Sequence, residues 1–192
     1  MASENGHAHV VQCLLTHGVT VDAIAITSQS TALIFSASNE NPDVTTLLLT
    51  AGAKPDLTNG YGNTALHAAC TRGHTKVSTA LVKQGGANVK LANHKGSTPL
   101  HMVCYGSAVS SDSAALAKLL LSSGADVNAK DKRGNTPLMV CCSSGRVDLI
   151  KILVEAGAST DDSDETGRKA PEIAEFYQQA ETKKFLLSLS KA

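Results

Sequence analysis

Between Gly62 and Ala87 the apolar residues fall into two short clusters separated by Gly73-His74, and each cluster has the spacing of one buried helical face. Thr64 precedes the first cluster with His67 three positions on, so its hydroxyl is placed to cap a helix over about Ala65–Thr71. Gly73 ends it. The second cluster, Val77, Ala80, Leu81 and Val82, predicts a helix over about Thr75–Lys83, stopped by Gly85 and Gly86. Helices of about two turns are not stable alone in water, so the pair must bury its apolar side against other elements.

The chain supplies those elements by repetition. Thr64-Ala65-Leu66-His67 recurs as Thr31-Ala32-Leu33, Thr98-Pro99-Leu100-His101 and Thr136-Pro137-Leu138-Met139, with steps of 33, 34 and 38 residues. A closing Gly-Ala pair recurs at Gly52-Ala53, Gly86-Ala87, Gly124-Ala125 and Gly157-Ala158, with Gly18-Val19 as a weaker first member. A period near 33 opened by Thr-Pro-Leu-His resembles the ankyrin repeat, and the resemblance covers almost the whole chain. It implies an all-α solenoid of about five to six stacked helix-turn-helix units with β-hairpin finger loops, forming a single domain.

The register divides the chain into a partial first repeat (1–23), internal repeats (24–56, 57–90, 91–128 and 129–161) and a capping repeat (162–192). Residues 1–23 match the unit only from the end of its first helix, which reads as a piece of a longer array, with a degenerate cap as the alternative. Val10, Val11, Leu14 and Leu15 are then partly uncovered, which predicts weak self-association or fraying. In 24–56, Gln29 and Glu40 stand where the other copies have turn glycines, and Ile26 either contacts a partner or packs on the first repeat. The longest step puts an insertion at 106–113, before a helix Ala114–Leu121 capped by Ser111, Asp112 or Ser113, and that insertion is a second candidate contact. In the cap Gln178 replaces a turn glycine, and Phe185, Leu186, Leu187 and Leu189 face back onto the stack. The cap reads as a native C-terminus.

Composition narrows the function further. With 17 basic and 17 acidic residues there is no general attraction to nucleic acid or to an anionic membrane, and at 3% aromatics a base-stacking platform is excluded. No apolar run approaches the roughly 20 residues that span a bilayer, and nothing resembles a signal peptide. Cys70, Cys104 and Cys142 share one repeat position, about 8–10 Å apart in a stack, too far for a disulfide or shared zinc. They read as small buried apolar residues, and the chain as a protein of the cytoplasm or nucleus. No nucleophile–base pair, phosphate-cradling glycine loop or metal-ligand spacing is present, so no catalytic residue, metal or cofactor is assigned. His67 and His101 take a structural role by the resemblance, bonding finger backbone.

The same resemblance implies that finger tips and inner helices form a concave surface for another protein. Carried over, its positions are Thr58, Tyr61, Asn63, Thr71 and Arg72, then His94, Lys95, Ser97 and Tyr105. They continue with Lys130, Lys132, Arg133, Asn135, Ser143 and Ser144, and in the cap Glu165, Arg168, Phe176 and Tyr177. The tips grade from apolar at Ile26, through basic at His94 to Arg133, to acidic at Asp161, Asp162, Asp164 and Glu165. Asn128, in Ala125-Asp126-Val127-Asn128, resembles the asparagine that a cytosolic dioxygenase hydroxylates in some family members. The function implied is an interaction scaffold or adaptor. The alternatives are a regulatory inhibitor or substrate-recruiting subunit of a kinase or ubiquitin-ligase complex, or a fragment of a larger protein. The ligase case needs an adaptor-binding box, for which Ser188 to Ala192 leave no room.

Overall fold

The computed structural model describes residues 2–106 and 110–189. Among them run eleven helices: α1 Ala8–Thr16, α2 Ala32–Ser38, α3 Pro42–Thr50, α4 Ala65–Arg72, α5 Thr75–Lys83, α6 Pro99–Tyr105, α7 Ser110–Ser122, α8 Pro137–Ser144, α9 Val147–Glu155, α10 Ala170–Phe176 and α11 Ala180–Leu189. They stack in two rows. The inner helices α2, α4, α6, α8 and α10 each pack on the next, as do the outer helices α1, α3, α5, α7, α9 and α11. Each inner helix also packs on the outer helix that follows it, giving an all-α repeat solenoid with one core continuous from Val11 to Leu186.

Threonine precedes four of the five inner helices, Lys169 taking its place before α10. The Thr31, Thr64 and Thr136 hydroxyls accept the third helical N–H at 3.3–3.4 Å. The histidines then join one repeat to the next. His67 Nε2 donates to the Ser97 carbonyl at 3.0 Å, leaving Nδ1 to accept from the Thr64 hydroxyl at 2.9 Å. His101 repeats this with Asn135 and Thr98. Burial pushes the His67 imidazole down to about 4 against the bonds from backbone, and lowers His101 likewise, so both are neutral at pH 7.

The fingers are shorter than the expected β-hairpins: among the described residues the β-bridges are the isolated ones at Ile24–Thr31 and Ser163–Lys169, and single backbone bonds such as Asn59 N–H to the Asn63 carbonyl (3.0 Å) close the other loops. An Asn or Asp side chain reinforces four of these loops. Asn59, Asn93, Asp131 and Asp164 each accept, on one side-chain oxygen, the N–H groups two and four residues on. Neighbouring tips are stitched by one backbone bond apiece, from Gly60 N to Ser28 O (3.4 Å), His94 N to Tyr61 O (3.1 Å), Lys132 N to Lys95 O (2.9 Å) and Glu165 N to Arg133 O (2.8 Å). Gln29, Glu40 and Gln178 do occupy glycine positions, with φ of 52°, 52° and 59°. Gln29 is accommodated because the residue facing it is Gly60, and that stitch is the longest of the four.

Several expectations are corrected. Helix α7 begins at Ser110, not Ala114, because Ser110 to Ser113 contain no breaker and Asp112 favours a first turn; residues 107–109 of the insertion lie outside the described residues. Ile26, 96% exposed, packs on nothing. Val11 is buried against the stack, whereas Val10 and Leu14 are half exposed because α1 packs chiefly on α3. Leu187 is exposed rather than packed, since the buried stripe of α11 runs through Thr182 and Leu186; the Leu189 side chain lies outside the described set. Cys70, Cys104 and Cys142 are buried free thiols, and burial pushes Cys70 and Cys142 up to about 12. Cys141, which the sequence did not single out, is a buried free thiol as well, and burial raises it too.

Candidate functional site

The stitched tips and the exposed side of the inner helices form one face, and the anticipated residues divide on it. One group is committed to the fold. Ser97 is buried under its carbonyl bond to His67, and Asn63 Oδ1 accepts from Asn93 Nδ2 at 2.8 Å. Asn135 donates from its side chain to both Asp131 oxygens at 3.3 Å, and the Thr71 hydroxyl donates to the His67 carbonyl at 2.8 Å. Lys130 bonds Asp162 at 2.6 Å. The exposed group comprises Tyr61, Arg72, His94, Lys95, Tyr105, Lys132, Arg133 and Tyr177.

The expected gradient of charge is altered by pairing. On the acidic side Asp161 holds Lys169, Asp162 holds Lys130, and Asp164 holds Arg168 at 3.1 Å. Burial opposes ionisation of Asp164, yet bonds from Thr166 and Arg168 bring it down to about 2, so it is charged and spent. On the basic side, among the described residues, no carboxylate lies within ion-pairing distance of Lys95, Lys132 or Arg133.

Where α6, α8 and α10 meet the last two fingers, a cleft of about 220 Å³ opens. Its floor is Met139, Val140 and Ile173, and its walls are Tyr105 and Tyr177 with Arg133, Glu165 and Arg168 at the rim. Tyr105 is 52% exposed, and burial of its phenol together with the Asp131 charge raises its pKa. Tyr177 meets Phe176 edge-to-face at 5.1 Å, and the Arg168 guanidinium lies 4.7 Å over the Phe176 ring. The sequence reading found the rim and walls but missed the floor and the role of Asp131; the recurring Asn or Asp at each finger base was the available signal.

Asn128 is tied down, donating to the Gly157 carbonyl at 3.3 Å and accepting from Ser159 N–H at 2.8 Å. Among the described residues no cluster of His, Cys, Asp and Glu could hold a metal ion, and no helix is long and apolar enough to cross a membrane.

The zebrafish (Danio rerio) protein named ankyrin repeat and SOCS box protein 11 is 39% identical over 83 residues, 43% of this chain. The chain thus spans 27% of the length of that relative. The family described as ankyrin repeats (3 copies) matches residues 33–131 and 105–192. With a repeating opening motif, two stacked helical rows and a family match over nearly its whole length, the chain belongs to the ankyrin-repeat family.

Proposed function

We propose that residues 1–192 are one interaction module that holds another protein on the finger and inner-helix face. The observation that carries this is the cleft between Tyr105 and Tyr177: exposed aromatic and cationic groups gather there, and among the described residues the Lys132 and Arg133 side chains form no ion pair. Aromatic residues and arginine are the side chains that dominate binding energy at interfaces, and neither tyrosine wall closes the core. The test is a pull-down from cytosolic extract with the 192-residue chain beside a Tyr105→Ala, Lys132→Ala, Arg133→Ala variant. A protein retained by the first and lost by the second supports the reading; equal retention moves the contact off this face, with the 106–113 insertion next in line.

The relative named for a SOCS box beside its ankyrin repeats supports a second, more specific reading. In it the array recruits a substrate to a ubiquitin ligase, and a separate segment engages the ligase. Ubiquitination of the retained protein, dependent on the same three side chains, distinguishes this from simple scaffolding.

A further inference from the structure

The cleft is electrically one-sided, and we propose that it takes an extended acidic segment of the partner, an Asp or Glu carboxylate lying on Arg133 and an adjacent large apolar side chain seated between Tyr105 and Tyr177. This rests on the interaction reading above.

Size limits the occupant first. A cleft of about 220 Å³ with an apolar floor of Met139, Val140 and Ile173 accepts one large side chain, whereas sites for small-molecule ligands run from about 300 to 1,000 Å³. Charge then sets the chemistry. Three aspartates around the last finger are neutralised in place: Asp161 by Lys169, Asp162 by Lys130 and Asp164 by Arg168. Asp131 is absorbed by the N–H groups of Arg133 and Asn135 and by the Asn135 amide. Among the described residues Lys95, Lys132 and Arg133, and Glu165 on the next finger, form no ion pair.

These cations are also held in a row. Lys132 N–H bonds the Lys95 carbonyl and Glu165 N–H bonds the Arg133 carbonyl, so three successive tips keep their spacing before a ligand arrives. An extended peptide offers that row a carboxylate without ordering the loops, and little binding energy is lost to preorganisation. Glu165 fixes the direction, because it repels an acidic residue placed on the cap side of the cleft.

The experiment selects random short peptides, displayed on phage, against the immobilised 192-residue chain at low salt. We expect enrichment of Asp or Glu next to Leu, Met, Phe or Trp. A synthetic copy of a selected peptide should lose at least about tenfold in affinity on Arg133→Glu. Replacing its acidic residue by Lys should do the same, and combining the two changes should recover part of the loss. Arg133 is exposed and its guanidinium makes no hydrogen bond among the described residues, so an unchanged thermal melt is the control on folding. Selected peptides without an acidic residue, affinity indifferent to Arg133→Glu, or no selection at all each overturn the inference. Such peptides lost on Tyr105→Ala would still leave the interaction face standing; peptides indifferent to both variants would remove both readings.

Discussion

Gly96→Ala tests whether the fingers are stitched as described. Gly96 has φ of +79°, and a Cβ there would stand 2.7 Å from the Lys132 backbone nitrogen and 3.1 Å from both Asp131 Cα and its carbonyl carbon. Those atoms belong to the next finger and cannot rotate away. Gly124 provides the internal control, with φ of +87° and nothing within 4 Å of the same Cβ. Forcing alanine into the left-handed region costs about 1–2 kcal/mol, offset by several tenths from the stiffer unfolded chain, so Gly124→Ala should cost about 1 kcal/mol. Gly96→Ala adds about 1 kcal/mol for the displaced Lys132–Lys95 bond and about 1–2 kcal/mol of overpacking, for a total of about 3–4 kcal/mol. Urea unfolding of both variants, with hydrogen exchange at the Lys132 amide, measures the difference. Equal midpoints, or a Lys132 amide as protected as in the parent, would refute the finger geometry and with it the fixed row of cations.

Three further outcomes follow from the same structure. His67 holds a proton in the fold only below about 4, whereas an unfolded histidine does so below about 6.5, so the unfolded state binds more protons between those values. Stability should therefore fall as pH drops from about 6.5 to 4, by up to roughly 3 kcal/mol for this group, with His101 adding in the same direction; a urea midpoint that is flat over this range rules the buried neutral imidazoles out. Glu40, exposed and at φ of 52°, should be improved by Glu40→Gly, which relieves left-handed strain at some entropic cost and raises stability by about 0.5–1 kcal/mol; a thermal melt that drops instead would mean the Glu40 side chain contributes contacts. Amides of α1 should exchange faster than those of α5, because α1 packs chiefly on α3 while α5 is covered by α3, α4 and α7; equal protection in a proven monomer would count against both fraying and self-association.

The repeat made the fold legible because it is written in residues with local tasks. Thr64, His67 and Gly73 each act within one turn of where they sit, so helix limits near α4 and α5 could be read to within a residue. Gln29, Glu40 and Gln178 were legible as glycine substitutes for the same reason. What was less legible depended on neighbours. The start of α7 turned on whether Ser110 to Ser113 joined a helix, and the spacing alone favoured a loop there. Exposure of Leu187 and burial of Val11 are set by which row each helix joins. At the site the tips were visible as exposed polar positions, but their pairing was not: Lys130 and Lys132 are two residues apart and look alike in sequence, yet one is tied to Asp162 and the other has no ion pair among the described residues.

That difference separates the fold's polar residues from those available to a partner. In the last four fingers the Asn or Asp at the base holds two backbone N–H groups, and the tip carbonyls Tyr61, Lys95 and Arg133 accept from the next finger. The backbone of the face is thereby satisfied within the protein, and a partner gains little by hydrogen-bonding to it. Recognition must fall to side chains that the stitching leaves outside, and around the cleft these are Tyr105, Lys132, Arg133 and Tyr177. Because their backbone positions are fixed by bonds that any non-proline residue can make, substitutions such as Arg133→Glu should alter which partner is held while leaving stability within about 0.5 kcal/mol. A loss of stability well beyond that on Arg133→Glu would show that the tip serves the fold as well, and would place recognition elsewhere on the stack.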